Sequence, residues 1–252
     1  MMKKNRIMII GAALLLIGAA AMPLWAQNYG RSSTDPVSGS AARADRTGGA
    51  YRSEQTLDIE SVIAGIEPGT LTADEEAGIL LMREEEKLAR DVYLTLAEKW
   101  NIPVFANIAR SEETHMEAME MLIDRYGLND PVDEASLKSR GSYSNEEFNV
   151  LYADLVKRGS QSLQAAMEVG ALIEDLDIAD LQRLIEESGN DDIKIVYQNL
   201  LKGSRNHLRS FYRQISRAGT GYNPEYISQG DFNRIVSSRN ENGVISDPAF
   251  IF

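Results

Sequence analysis

No cysteine occurs among the 252 residues, so neither a disulfide framework nor a thiolate metal site is open to this chain. Any metal it holds must take oxygen and imidazole ligands, which suits iron, manganese or zinc rather than copper(I) or an iron–sulfur cluster. Basic residues are also short, 26 Lys and Arg against 38 Asp and Glu. That balance argues against nucleic acid, whose phosphates need cationic neutralisation. Histidine is scarcer still, with two in the whole chain. Nothing resembles a set of strands. The Gly-Thr-Gly at 219–221 lacks the strand and helix context of a phosphate loop, and no nucleophile–His–acid spacing is present.

What the sequence does have begins at its start. Lys3, Lys4 and Arg6 precede an apolar run to about Trp25, followed by Ala26. This is the layout of a secretory signal peptide over residues 1–26. An uncleaved anchor is the alternative, since the run is nearly long enough to span a bilayer. No cysteine stands near the cut to accept a lipid. Cleavage removes three positive charges and leaves an exported chain, periplasmic or extracellular, more acidic than the −12 of the full sequence and with no membrane segment. Residues 27–56, rich in Gly, Ser, Ala and Arg, read as a flexible linker. Residues 57–217 form the domain, and 218–252 an irregular tail with at most one short helical turn.

Within the domain the pattern is helical. A first long helix starts at Thr72, with Glu75 three residues on as a capping box, and runs to Trp100. A second opens at Pro103 and stops at Gly127. A polar stretch follows, with one short helix starting at Ser144 and Glu147. Ser160 caps a third long helix, Gly189 and Asn190 make a turn, and a fourth runs on from there. Two tight turns and one long connection between the second and third long helices describe an all-α four-helix bundle with one crossover.

Amphipathic helices place apolar residues three, four and seven apart, and ionisable residues inside that stripe violate the rule. In the first helix Glu86 lies among Ile79, Met82, Ala89, Tyr93 and Leu96. In the second, Glu112 and His115 lie among Phe105, Ile108, Met119 and Leu122. In the third, Glu174 lies among Leu163, Met167, Ala171, Ile178, Leu181 and Ile185. In the fourth, Val196, Leu200, Gly203 and Phe211 bracket His207. A lone buried carboxylate costs several kcal/mol or is neutralised, whereas five such groups sharing a cation satisfy one another. Counted from the two turns, all five sit within roughly one helical turn of the same level. Glu86 to Glu174 is 88 residues and His115 to His207 is 92, a near-repeat of two helical hairpins. Glu168, whose stripe holds Gln161, Gln164 and Asp175, belongs to a solvated face and lies too far from the His207 level.

At these residues the sequence resembles the ferritin-like superfamily, and rubrerythrins in particular. EKLARDVY, residues 86–93, matches the Glu-x-x-Ala-Arg-x-x-Tyr of rubrerythrin's first bundle helix, and EETH matches its Glu-x-x-His. Residues 71–217 also look like an exported or archaeal branch of that superfamily known as a domain of unknown function, through GALIEDLDIADL and LLKGSRNHLRSF. The resemblance implies a carboxylate-bridged di-iron or di-manganese centre, with roles from iron oxidation to peroxide reduction. One departure is plain. The fourth helix carries Ser204 three residues before His207, where the second Glu-x-x-His expects glutamate. The site is then asymmetric, holds a single metal, recruits Asp175 or Asp177, or has lost redox activity. The cysteine module of many rubrerythrins is absent as well.

The expected ligands are therefore Glu86, Glu112, His115, Glu174 and His207, with Glu112 and Glu174 as bridges. They would hold iron, mononuclear or paired, or alternatively manganese or zinc. Tyr93 is either a core aromatic or a residue beside the metal that takes part in proton or radical transfer. Glu84, Glu85, Glu113 and Glu117 read as solvated helix exterior, and Met116, Met119 and Met121 as packing. The expected activity is that of a di-iron oxidase or peroxidase acting with dioxygen or peroxide, with a homodimer open. The rival is a non-enzymatic envelope module that keeps the bundle with a degenerate or single-metal site.

Overall fold

The computed structural model describes residues 53–252, and every regular element among them is an α-helix. The expected signal peptide and residues 27–52 of the expected linker lie outside the described residues. In chain order the helices are α1 (Glu54–Ile63), α2 (Ala73–Trp100), α3 (Pro103–Tyr126), α4 (Glu134–Lys138), α5 (Glu146–Gly159), α6 (Leu163–Glu187), α7 (Asp191–Arg217) and α8 (Gln229–Ser237). None of them is long and apolar enough to cross a membrane.

Capping chemistry sets the ends of the long helices. Thr72 Oγ1 accepts from Glu75 N at 3.2 Å, and Glu75 Oε2 accepts from Thr72 N at 2.9 Å. Such a cap contributes about 1 kcal/mol. The other Glu75 oxygen accepts from Ser188 Oγ and Gly189 N, both at 2.9 Å, tying the start of α2 to the α6–α7 turn. Burial alone would raise this carboxyl, but the bonds from Thr72, Ser188 and Gly189 hold it at about 2. Pro103 supplies the first turn of α3. Gly127 ends that helix at φ 64, a left-handed conformation that favours glycine. Two expected caps are displaced. Asn145, not Ser144, caps α5, and Ser162, not Ser160, caps α6.

The helix pairs α2–α3 and α6–α7 pack as hairpins, and α2–α6 and α3–α7 contacts close a ring of four. Inside it Tyr93, Phe105 and Phe211 meet with centroids 5.3 to 6.4 Å apart. Met116, Met119 and Met121 are buried, as packing residues should be. Helix α1, the first among the described residues, was not foreseen. It lies on α3 and α7 and is anchored by Glu117, whose Oε2 accepts from Ser53 N and Thr56 Oγ1. Glu117 is thus half-buried and bonded rather than solvated, while Glu113 is exposed as expected.

The charged flank of α2 is not exterior either. Every residue from Met82 to Tyr93 is buried, and on the polar side of this stretch it is the connection between α3 and α6 that folds back over it. Arg83 pairs with Asp130, and Glu84 accepts from the Ser144 and Asn145 amides at the start of α5. Lys87 Nζ donates to Asp91 at 2.7 Å and to the Ser139 and Ser142 carbonyls. Asp91 also accepts from Arg90, Gly141 N and Tyr143 Oη. Glu84 and Glu85, expected to be solvated, are 5 % and 3 % exposed.

The segment after α7 is organised around that helix. Besides α8, residues 241–250 run along the polar flank of α7. Gln198 donates to the Pro248 and Phe250 carbonyls, Asn199 to that of Ile245 and Lys202 to that of Gly243. Arg205 and Arg209 both pair with Glu241. Asp175 holds the beginning of this segment, accepting from Tyr222 Oη and the amides of Glu225, Tyr226 and Ile227.

Candidate functional site

The in-stripe ionisable residues of α2, α3, α6 and α7 meet inside the ring. Glu112 is the hub. Its Oε2 lies 2.8 Å from His115 Nδ1, one turn along α3, and its Oε1 lies 3.0 Å from His207 Nδ1 on α7. Glu86 Oε2 reaches the same His115 nitrogen at 3.1 Å, and Glu174 Oε2 lies 3.4 Å from His207 Nδ1. The two imidazoles stack with centroids 5.4 Å apart. All four of Glu86, Glu112, His115 and Glu174 are at most 2 % exposed, and His207 is 7 %. Glu168, by contrast, sits on a half-buried flank and takes a hydrogen bond from Gln164.

Neighbouring groups fix the orientations. Ser111 Oγ lies 2.9 Å from His207 Nε2, which turns Nδ1 toward the carboxylates. Tyr93 donates its hydroxyl to Glu174 Oε1 at 2.5 Å. His115 is set by close approach of a backbone. A Cβ built at Gly203 would stand 2.3 Å from His115 Nε2, so the ring occupies space that only glycine leaves. Gly203→Ala is accordingly expected to displace the His115 ring and cost about 1–3 kcal/mol. Denaturant unfolding and the His115 ring resonances would measure the two effects, and unchanged resonances would refute the contact.

The electrostatics follow from four helices pointing ionisable groups into one dry layer. Burial works against ionised Glu112, yet His207 and His115 outweigh it and hold the carboxyl at about 2. Burial likewise opposes imidazolium at His207, but Glu112 and Glu174 lift it to about 10. The same contest, with Glu86 and Glu112, leaves His115 well above the usual range. Glu174 is raised to about 7 by burial and by Glu112, against His207 and Tyr93. Burial, joined by Glu174 and Glu112, raises Tyr93 far enough that the phenol keeps its proton.

Hydrogen bonding within the layer is incomplete. Glu86 Oε1 and His115 Nε2 are buried without a partner, and the Glu112 Oε1–His207 Nδ1 approach is not aligned as a hydrogen bond. Buried polar atoms are normally satisfied, so these are exceptions. Glu112, His115 and His207 each offer an atom lying within 4.8 Å of the others, a spacing that suits one cation. Of the two aspartates weighed as replacements for the glutamate missing at Ser204, Asp175 has both oxygens engaged by the segment after α7. Asp177 instead accepts from Ser204 itself. Sequence reasoning passed over Ser111, whose hydroxyl meets His207 only through the packing of α3 on α7.

The chain is similar to other proteins over most of the described region. Residues 75–239 match the family model described as Uncharacterized protein domain (DUF2202), a span that includes all five in-stripe residues. The chain is 48 % identical over 182 residues to Uncharacterized protein MJ0754 of Methanocaldococcus jannaschii, covering 72 % of this chain and 97 % of the relative. The crystal structure of hypothetical protein MJ0754 from Methanococcus jannaschii aligns with a TM-score of 0.68, over 70 % of this chain and 99 % of that one. This chain belongs to the DUF2202 family.

Proposed function

We propose that the chain is an exported, ferritin-like four-helix bundle that binds iron, or alternatively manganese or zinc, between α2, α3, α6 and α7. The observation that carries this reading is the Glu112 carboxylate, which presents one oxygen to each histidine Nδ1 while Glu86 and Glu174 flank the pair. An all-oxygen and imidazole donor set of this kind suits these ions. The partnerless Glu86 Oε1 gives the site a free acceptor.

When bound, such a metal supplies Lewis-acid and redox chemistry toward dioxygen or peroxide. The chain's part is positional. Glu112 bridges the two imidazole sides, and Glu86 and Glu174 balance charge from opposite helices. Ser111 orients His207. Tyr93 steadies Glu174 through its retained proton, and the Tyr93, Phe105 and Phe211 rings wall the site against water. A non-enzymatic module with a structural metal is the second reading, favoured by Ser204, which leaves α7 without a carboxylate at the level of His207.

Protons and metal compete for the same nitrogens, which gives the test. His207 is held at about 10 against an ordinary 6.5. Its contribution to the stability of the metal-free chain is therefore complete below pH 6.5 and lost as pH rises toward 10. Glu174, raised from 4.5 to about 7, acts in the same direction over that lower range. The metal-free melting temperature should fall from pH 6.5 to 9.5. Affinity for iron(II) or manganese(II) should climb over the same interval, by up to about tenfold per pH unit for each imidazole proton displaced. Calorimetric titration at several pH values checks both slopes. No metal uptake at any pH would refute the site. Uptake without peroxide consumption would favour the structural module.

A further inference from the structure

We propose that the seam between α3 and α7 at Ser111 is the doorway through which a metal ion and water reach the buried layer, with the Ser111–His207 contact as its latch. This rests on the metal-binding reading above. The side chains of Glu86, Glu112, His115 and Glu174 are at most 2 % exposed, whereas that of His207 is 9 %. His207 is also the member of the layer whose outer nitrogen meets the surface. Its Nε2 lies 2.9 Å from Ser111 Oγ, and Ser111 is half-buried. Its Nδ1 faces Glu112 and Glu174 on the inner side. One imidazole ring thus spans the wall between layer and solvent.

The other walls are thicker. From Met82 to Tyr93, α2 is buried throughout. Between α6 and α7, Ser204 and Leu208 are fully buried. The Tyr93, Phe105 and Phe211 rings close one end, and the outer nitrogen of His115 abuts α7 at Gly203. Further along the α3–α7 seam, α1 is the cover. Its Ile59 and Ile63 are buried, and Thr56 Oγ1 reaches the Thr114 carbonyl oxygen at 3.4 Å, about one helical turn from Ser111. The residues flanking Ser111 on the seam are Asn107 and Thr114 on α3 and Ser210 on α7, all polar, uncharged and at least partly exposed. A close-packed interior admits nothing unless some group moves. Here that movement is the rotation of one hydroxyl near the surface, which is fast. At the other walls an aromatic side chain, a backbone or a whole covering segment must shift.

Rapid mixing of the folded metal-free chain with manganese(II) tests the doorway. Loss of the free-ion electron paramagnetic resonance signal gives the uptake rate, and excess chelator gives the release rate. Ser111→Ala, which removes the latch, should quicken uptake and release alike, by about 10-fold. A serine that only orients His207 would alter release and leave uptake unmoved, because lost contacts act on departure. Ser210→Trp, which narrows the rim from α7, should slow both rates by about 10-fold and change affinity by less than about threefold. Glu113→Trp, on the exposed face of α3, should change neither rate. Unmoved uptake in either folded rim variant would overturn the doorway and leave the metal reading intact. If Ser210→Trp does not fold, uptake by Ser111→Ala decides. A second readout needs no metal. In the metal-free chain the His207 Nε2 hydrogen should exchange with solvent about 10-fold faster than that of His115, and Ser210→Trp should slow it. The reverse order would overturn the doorway. No manganese bound by the wild type would overturn the metal reading, and the exchange order then upholds or overturns a doorway for water on its own.

Discussion

Glu112→Gln should unload the metal and destabilise the metal-free chain by about 3–5 kcal/mol, the usual cost of removing one partner from a buried ion pair. The substitution preserves shape and removes charge at the one residue that faces both histidines, 2.8 Å from His115 and 3.0 Å from His207. Two imidazoles raised by carboxylates would lose their shared counter-charge and return toward neutrality, so the loss is not confined to one contact. Metal affinity should fall by at least about 100-fold, since both a ligand and the orientation of two others are affected. Urea unfolding with the metal chelated gives the stability term, and metal content after purification gives the other. Glu113→Gln, one residue along on the exposed side of α3, should change stability by no more than about 0.5 kcal/mol. Equal effects at 112 and 113 would contradict the inward placement of Glu112.

Asp91→Ala is the substitution expected to do most damage away from the site. Asp91 is fully buried and compensates Lys87 at 2.7 Å and Arg90 at 2.7 Å, while accepting from Gly141 N at 3.2 Å and Tyr143 Oη at 3.0 Å. Removing it leaves a fully buried ammonium unpaired, for a further cost of about 3–5 kcal/mol. It also releases the stretch around residues 139–143 from α2, so limited proteolysis should cut there first. Replacing Lys87 together with its partner, Lys87→Met with Asp91→Leu, should recover only the part of the stability that belongs to the unpaired ammonium, because Arg90 still loses its carboxylate. A double variant no better than Asp91→Ala would mean that the bonds to Gly141 and Tyr143 dominate instead.

The two cases mark where sequence was legible and where it was not. The ends of α2, α3 and α7 could be read from Thr72 with Glu75, from Pro103 and Gly127, and from the Gly189–Asn190 turn, because each is local backbone chemistry. The inward turning of Glu86, Glu112, His115, Glu174 and His207 was legible as a violation of the apolar period. The burial of Glu84 and Asp91 was not. It depends on residues 130–145, about fifty positions downstream, laying amides and carbonyls on α2. Periodicity reports which face is apolar but not whether a polar face is covered by another polar segment. The same blindness hid the Glu117 anchor of α1 and the run of residues 241–250 along α7, which is held by hydrogen bonds that need no apolar repeat. The Ser204–Asp177 hydrogen bond was not legible, because it forms only where α7 meets α6.

The covering of α7 has a consequence in time as well as in space. From Ile195 to Arg205 every residue is buried, since the ring of helices occupies one side and residues 241–250 the other. Solvent-catalysed hydrogen exchange at those amides must therefore wait until the covering segment lifts or the chain unfolds. In α4, which buries none of its residues, local fraying is enough. The helix that carries His207 is thus clocked by a segment that contributes nothing to the buried Glu and His layer itself.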